Sequence, residues 1–175
     1  GLGLADVAGA QLSHLLVHDL QGRWAQGVSL SGAASAALSF STVYGLEGAD
    51  GADGVAVGEG GSLTASGLIV AEVGRHGLFS AAPNADDAVT VAYSDVFSAG
   101  AAALSNVEAG DGMIAEDPRF VDPAAGDFAL QDGSPCIDTG GGICEAEPDS
   151  GDGAHACDMG HLGGTADAWP GAGGL

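Results

Sequence analysis

The chain has 175 residues, of which 24 are Asp or Glu against three Lys or Arg, giving a formal net charge of −21. That balance argues against binding a phosphate backbone, because such affinity comes from Lys and Arg displacing counterions, and no stretch reaches the roughly 18 to 20 apolar residues of a membrane-spanning helix. With 32 glycines and only 5% aromatic residues, the chain is composed to turn often and to pack small side chains.

From Gly1 to about residue 109 the sequence repeats itself. Ala10, Ala36, Leu63 and Val89 recur at spacings of 26, 27 and 26 residues, and the columns Leu12/Leu38/Ala65/Val91 and Val17/Val43/Val70/Val96 keep the same register. A period in the twenties marks a solenoid whose repeats lie on one another. Each repeat holds short alternating apolar runs separated by glycine-containing turns, as in Gly27–Leu30, Gly54–Val57 and Gly77–Ser80. Runs of this length with period two read as strands. A helical periodicity and the leucine-rich signature are both absent, so residues 1–109 are expected to form an all-β parallel β-helix of about four coils, each of roughly 23–27 residues. The acidic insertion Glu47–Asp53 and the segment Pro83–Asp87 fall at turns and read as solvated spacers.

From about Gly110 the period stops, and residues 110–175 read as a C-terminal capping segment with an acidic, cysteine-containing loop and a glycine-rich tail. A solenoid needs an atypical end to cover its last apolar cross-section. Phe120, Val121, Phe128, Leu130 and Ile137 can supply the cover, while Pro118, Pro123 and Pro135 block further strand pairing.

The run Asp117-Pro-Arg-Phe-Val-Asp-Pro-Ala-Ala-Gly-Asp-Phe-Ala-Leu-Gln-Asp-Gly-Ser-Pro-Cys-Ile-Asp-Thr-Gly140, followed by Asp158-Met-Gly160 and Gly163-Gly164, resembles the C-terminal end of secreted bacterial right-handed parallel β-helix proteins of the pectate-lyase-like superfamily. The resemblance implies a right-handed coil and an extracellular or cell-surface location. It implies no activity, since one fold hosts many chemistries. It also gives Asp138 a structural role as acceptor for turn N–H groups. His161 and Leu162 stand where the family usually carries an aromatic residue after its Asp-Met-Gly-Ala motif.

Candidate chemistry is sparse. Asp19 and Glu72 are in phase but two coils apart, with Gly45 between them, which places their backbones roughly 9 to 10 Å apart and suits solvated surface acids better than a catalytic pair. Arg23 and Arg75 read as turn residues and Arg119 as part of the cap, so none is expected beside an acidic cluster in the way that a polysaccharide lyase requires. Two outward columns, His14/Phe40/Gly67/Tyr93 and His18/Tyr44/Ala71/Phe97, carry rings. His14, His18, Phe40, Tyr44, Tyr93 and Phe97 are therefore the candidate contacts for a glycan or a neighbouring chain, set against plain stacking along the ladder. Neither His14/His18 nor His155/His161 has a convincing set of metal partners. The acidic tract Glu145–Gly153 invites a calcium reading, but it lacks the spacing of a calcium loop. A disulfide between Cys144 and Cys157 would instead staple it as a small loop and leave Cys136 over. No cofactor is expected.

Residue 1 is a glycine inside what reads as a repeat, so the chain is expected to be a processed product or the C-terminal piece of a longer one. The first coil, beginning Gly1-Leu-Gly-Leu4, has no covering element, and an open solenoid end is a template for further strands. Gly1, Leu2 and Leu4, together with Trp169 and Leu175 of the tail, are the candidate assembly residues, with a second copy or upstream coils of a longer chain as the partner. The expected function is an exported structural or adhesive module that binds chains or glycans. The alternative is a polysaccharide lyase or glycoside hydrolase whose site lies mostly upstream.

Overall fold

The computed structural model describes residues 1–81, 89–142 and 156–163. In chain order the strands are β1 (Leu2–Ala5), β2 (Ala10–Ser13), β3 (Leu16–His18), β4 (Gln21–Ser31), β5 (Ser35–Ser39), β6 (Thr42–Val57), β7 (Ser62–Ser66), β8 (Ile69–Val73), β9 (His76–Ser80), β10 (Val89–Ala92), β11 (Asp95–Ala99), β12 (Ala102–Ser105), β13 (Glu108–Ala109), β14 (Phe120–Asp122) and β15 (Asp127–Leu130). Three parallel faces result. Face A stacks β1, β4, the second half of β6, β9 and β12; face B stacks β2, β5, β7, β10 and β13; face C stacks β3, the first half of β6, β8 and β11. The protein is a parallel β-solenoid of about four turns.

The repeating columns in the sequence are the ladder registers themselves. Ala10 pairs with Ala36, Ala36 with Leu63 and Leu63 with Val89 on face B, and Val17, Val43, Val70 and Val96 follow one another on face C. On face A, Val28, Val55, Leu78 and Leu104 stack in the same way. Their side chains and those of Leu30, Leu38 and Leu46 fill the interior, and each buried Val or Leu contributes about 1.5–3 kcal/mol. Faces A and C meet so closely that three members of one column, Gly27, Gly54 and Gly77, have no room for a side chain. A Cβ on Gly27 would stand 2.6 Å from Val43 Cγ1, and Cβ atoms on Gly54 and Gly77 would run into Val70 and Val96 in the same way.

The corners between faces are tight bends, each carrying a residue in the left-handed region. His14, Phe40, Gly67 and Tyr93 form the bend from B to C, and Asp19, Gly45, Glu72 and Ser98 the bend after C. Backbone bonds continue from coil to coil through these bends, as in His14 N–H to Phe40 O at 2.9 Å and Gly67 N–H to Tyr93 O at 2.9 Å. The ring column His14/Phe40/Gly67/Tyr93 is thus a bend column, and its phase comes from backbone geometry.

Two expectations are corrected here. Glu47–Asp53 is not a solvated spacer: it lies within β6 and pairs with β4 through Gln21–Glu47 and Gly22–Gly48, and Asp53 is fully buried. The apolar residues of the C-terminal segment are also not laid over the end of the last coil. Phe120, Phe128 and Met159 pack with Ile69, Ala71, Tyr44 and Phe97, so the segment turns back along the outside of face C. Strands β14 and β15 form an antiparallel pair across a 3-10 turn, Pro123–Ala125, capped by Asp122, whose Oδ1 accepts from Ala125 N–H at 3.2 Å. Val121, expected to join this cover, is 48% exposed. Pro83–Asp87, the tract Glu145–Gly153, His155, Cys144, Trp169 and Leu175 lie outside the described residues.

Candidate functional site

The six ring residues singled out in the sequence lie on one flank of the solenoid. His18, Tyr44 and Phe97 point outward from face C, and His14, Phe40 and Tyr93 sit on the adjoining bend. Much of what covers them is the chain's own C-terminal segment. Tyr44 meets Phe120 and Phe128 edge-on at 5.8 and 5.3 Å, and His18 lies 5.1 Å from Phe128. His14 stacks on Phe40 at 5.9 Å and its Nε2 lies 2.9 Å from Gly163 O. Tyr93 alone of the six keeps a large exposed surface, 40%. The physical reason is apolar area: Phe120, Phe128 and Met159 need burial, and the rings of face C offer it.

Buried polar groups tie this segment down. Asp95, fully buried on β11, accepts from Glu116 N–H at 3.1 Å and from the Cys136 thiol at 3.6 Å. Burial raises its carboxyl to about 6, helped by the nearby Glu116 and Asp117. Burial, with Asp95 alongside, also pushes the Cys136 thiol well above its usual range. Cys136 is a free cysteine. His161 donates its backbone N–H to Thr42 Oγ1 at 3.0 Å. Burial, with His14 and His18 nearby, lowers the His161 imidazole to about 4, so the ring packs as a neutral group. Among the described residues the Asp138 carboxylate accepts no turn N–H of the kind the resemblance implied; its backbone N–H donates to Asp158 Oδ1 at 2.8 Å. Asp6, Asp117, Asp122 and Asp127 do accept from turn N–H groups.

Between face C and the returning segment lies a cleft of about 350 Å³, lined by Tyr44, Glu72, Phe97, Asp117, Arg119 and Gln131 among others. Compared with protein-family models, with curated proteins and with solved structures, the chain matches none. Its chemistry therefore rests on these side chains. Glu72 shares the cleft with Asp117 and Arg119, which the fold-back brings from about 45 residues away, while Gly45 separates it from Asp19 as the spacing predicts. Arg75 stands in a turn and Arg119 in the C-terminal segment, as expected, whereas Arg23 lies within β4 and not in a turn. Each nonetheless meets an acid: Arg119 lines the cleft with Glu72 and Asp117, Arg23 pairs with Asp50, and Arg75 grips Asp53.

That last pair is the densest polar cluster on face A. Asp53, 1% exposed at its side chain, receives Arg75 Nε at 2.9 Å, a second bond from Arg75 Nη2, and His76 Nδ1 at 3.0 Å. The guanidinium lies 4.9 Å from the Trp24 ring and 5.5 Å from that of Phe79. Its hydrogen bond to Asp53 holds the Arg75 guanidinium above its ordinary range. The signal in the sequence was register, because Asp53 and His76 are ladder partners once β6 is read as one long strand. Among the described residues no group of three or more His, Cys, Asp or Glu is arranged to hold a metal ion.

Proposed function

We propose that this chain is an exported structural or adhesive β-solenoid module whose ends are extended by further parallel coils, from a second copy or from flanking coils of a longer chain. One observation carries the reading. Among the described residues, no strand pairs with the outer edges of β1, β2 and β3 at one end or of β12 and β13 at the other. Natural sheets blunt such edges with Lys, Pro or bulges. None of these five strands contains Lys, Arg or Pro, and their pairings run without register shifts. Leu4, Leu12 and Val17 at the first end, and Leu104, Val107 and Met113 at the other, are only partly buried against the core. Faces A and B are open at both ends in the same order, while Ile114 bridges the outer side of β11 on face C; a contact of one end with the other through faces A and B is heterologous, the kind that builds open filaments.

A net charge of −21 opposes the approach of two copies, so association should strengthen with salt, as the Debye length falls from about 10 Å at 0.1 M to about 3 Å at 1 M. Electron microscopy and sedimentation velocity across that range test the reading. End-to-end polymers that a Gln11→Pro change on edge strand β2 disperses would support self-assembly. Monomers at every salt concentration would refute it and assign the open edges to flanking coils. The proposed roles of Trp169 and Leu175 belong to the same experiment, through deletion of residues 168–175. Export goes with a Cys144–Cys157 disulfide. One thiol titrating in denaturant without reductant would support it, and three would refute it.

A further inference from the structure

We infer that the cleft between face C and the returning segment binds a neutral sugar unit of a glycan chain. This goes beyond end-to-end stacking and does not depend on it. The cleft's volume, about 350 Å³, falls at the lower end of the range for small-ligand sites, which combine apolar walls with a few placed polar groups. Its apolar wall is rigid: Tyr44 and Phe97 project from ladder strands two coils apart, and Phe120 braces Tyr44 edge-on at an interplanar angle of 83°. Such rings take up the C–H face of a pyranose.

The polar groups around that wall have capacity left over. Among the described residues, the Glu72 carboxylate and the Tyr44 hydroxyl make no hydrogen bond, although both line the cleft. Arg119 uses Nη1 on Gly133 O at 2.9 Å, and Gln131 uses Nε2 on Phe120 O at 2.8 Å, leaving further guanidinium donors and the amide oxygen. Carboxylates that accept and a guanidinium that donates match neighbouring sugar hydroxyls, each of which does both.

Glu72 occupies the left-handed bend, at φ 53°, that Asp19, Gly45 and Ser98 hold in the other coils, so a glycine there fits the backbone without strain. The class of ligand follows from sign. Glu72 and Asp117 face one arginine in a chain of net charge −21, and Glu72, Asp19 and Asp117 reinforce burial in raising the Tyr44 hydroxyl above its usual range. A hexuronate, or a sulfated or phosphorylated sugar, would enter against that field. A neutral sugar would not.

The test is a glycan array bearing neutral hexose, N-acetylhexosamine and hexuronate oligosaccharides, followed by calorimetry with the best ligand on the monomeric fraction. Binding is expected on the neutral glycans. Arg119→Ala and Glu72→Gly should each weaken it about tenfold or more, as loss of a hydrogen bond to a charged group does. Glu72→Gly should leave the thermal midpoint unchanged or higher, which separates a lost contact from a damaged fold. Trp24→Ala, on face A, should bind normally. Absence of binding at millimolar glycan, preference for hexuronate, or full affinity in both cleft variants would overturn the inference.

Discussion

Asp95 ties the returning segment to the solenoid, and its protonation should set much of the pH dependence of stability. Its folded carboxyl titrates at about 6 against an ordinary 3.8, because burial penalises the charged form more than Glu116 N–H and the Cys136 thiol stabilise it. A group raised in the folded state adds stability that is fully present below its unfolded value and is lost as pH rises through the folded value. The window is therefore about pH 4 to 6, and the loss is about 3 kcal/mol at 1.36 kcal/mol per unit. Asp95→Asn keeps the size and the acceptor for Glu116 N–H but cannot ionise. It should match the wild type near pH 3.5 and exceed it by up to about 3 kcal/mol at pH 7.5. For a chain of this size that corresponds to roughly 6–12 °C in thermal midpoint. Urea or thermal unfolding of both proteins at the two pH values measures the difference and removes the background of the other acids, which both share. A variant that is less stable at pH 7.5, or a difference that does not change with pH, would show that Asp95 is held ionised and that this account of its burial is wrong.

Two further predictions concern packing. Gly54→Ala would drive a methyl group into Val70 and to 2.6 Å from Gly77 O, whereas Gly22→Ala meets nothing closer than 3.6 Å. The first should cost about 1–3 kcal/mol and the second much less, read by denaturant unfolding; equal costs would refute the close approach of faces A and C. Arg75→Met leaves the buried Asp53 carboxylate with His76 as its one side-chain partner among the described residues and should cost about 3 kcal/mol, at the low end for a broken buried pair because His76 remains and the guanidinium is partly exposed. Adding Asp53→Asn should recover part of that loss, and a double mutant no more stable than Arg75→Met would show that the pair is not coupled.

The solenoid was legible because a parallel ladder repeats its inward positions at the length of a coil. Ala10, Ala36, Leu63 and Val89 carried that length in plain view, and pairing confirms every step. The same periodicity has more than one cause. His14, Phe40, Gly67 and Tyr93 share a phase because they share a left-handed bend, a backbone property that places rings on a ladder whatever those rings contact. Asp53 was missed because a run of glycines and acids reads as loop unless its partners Trp24, Gln26 and His76 are already aligned with it.

The largest difference lies in the direction taken after Gly110. Composition correctly supplied Phe120, Phe128 and Leu130 as apolar cover, but no local signal says whether a cover closes the end of a rod or lies along its side. That choice depends on what the rod offers. The end offers open backbone edges, which strands satisfy and scattered phenylalanines do not; the outside of face C offers Tyr44, Ile69, Ala71 and Phe97, apolar residues in an otherwise acidic chain. Burying rings against rings gains transfer energy without stranding a backbone group. The cover therefore goes to the flank, where it creates between itself and face C the cleft in which Glu72 and Arg119 meet, while among the described residues no strand pairs with the outer edges of β12 and β13.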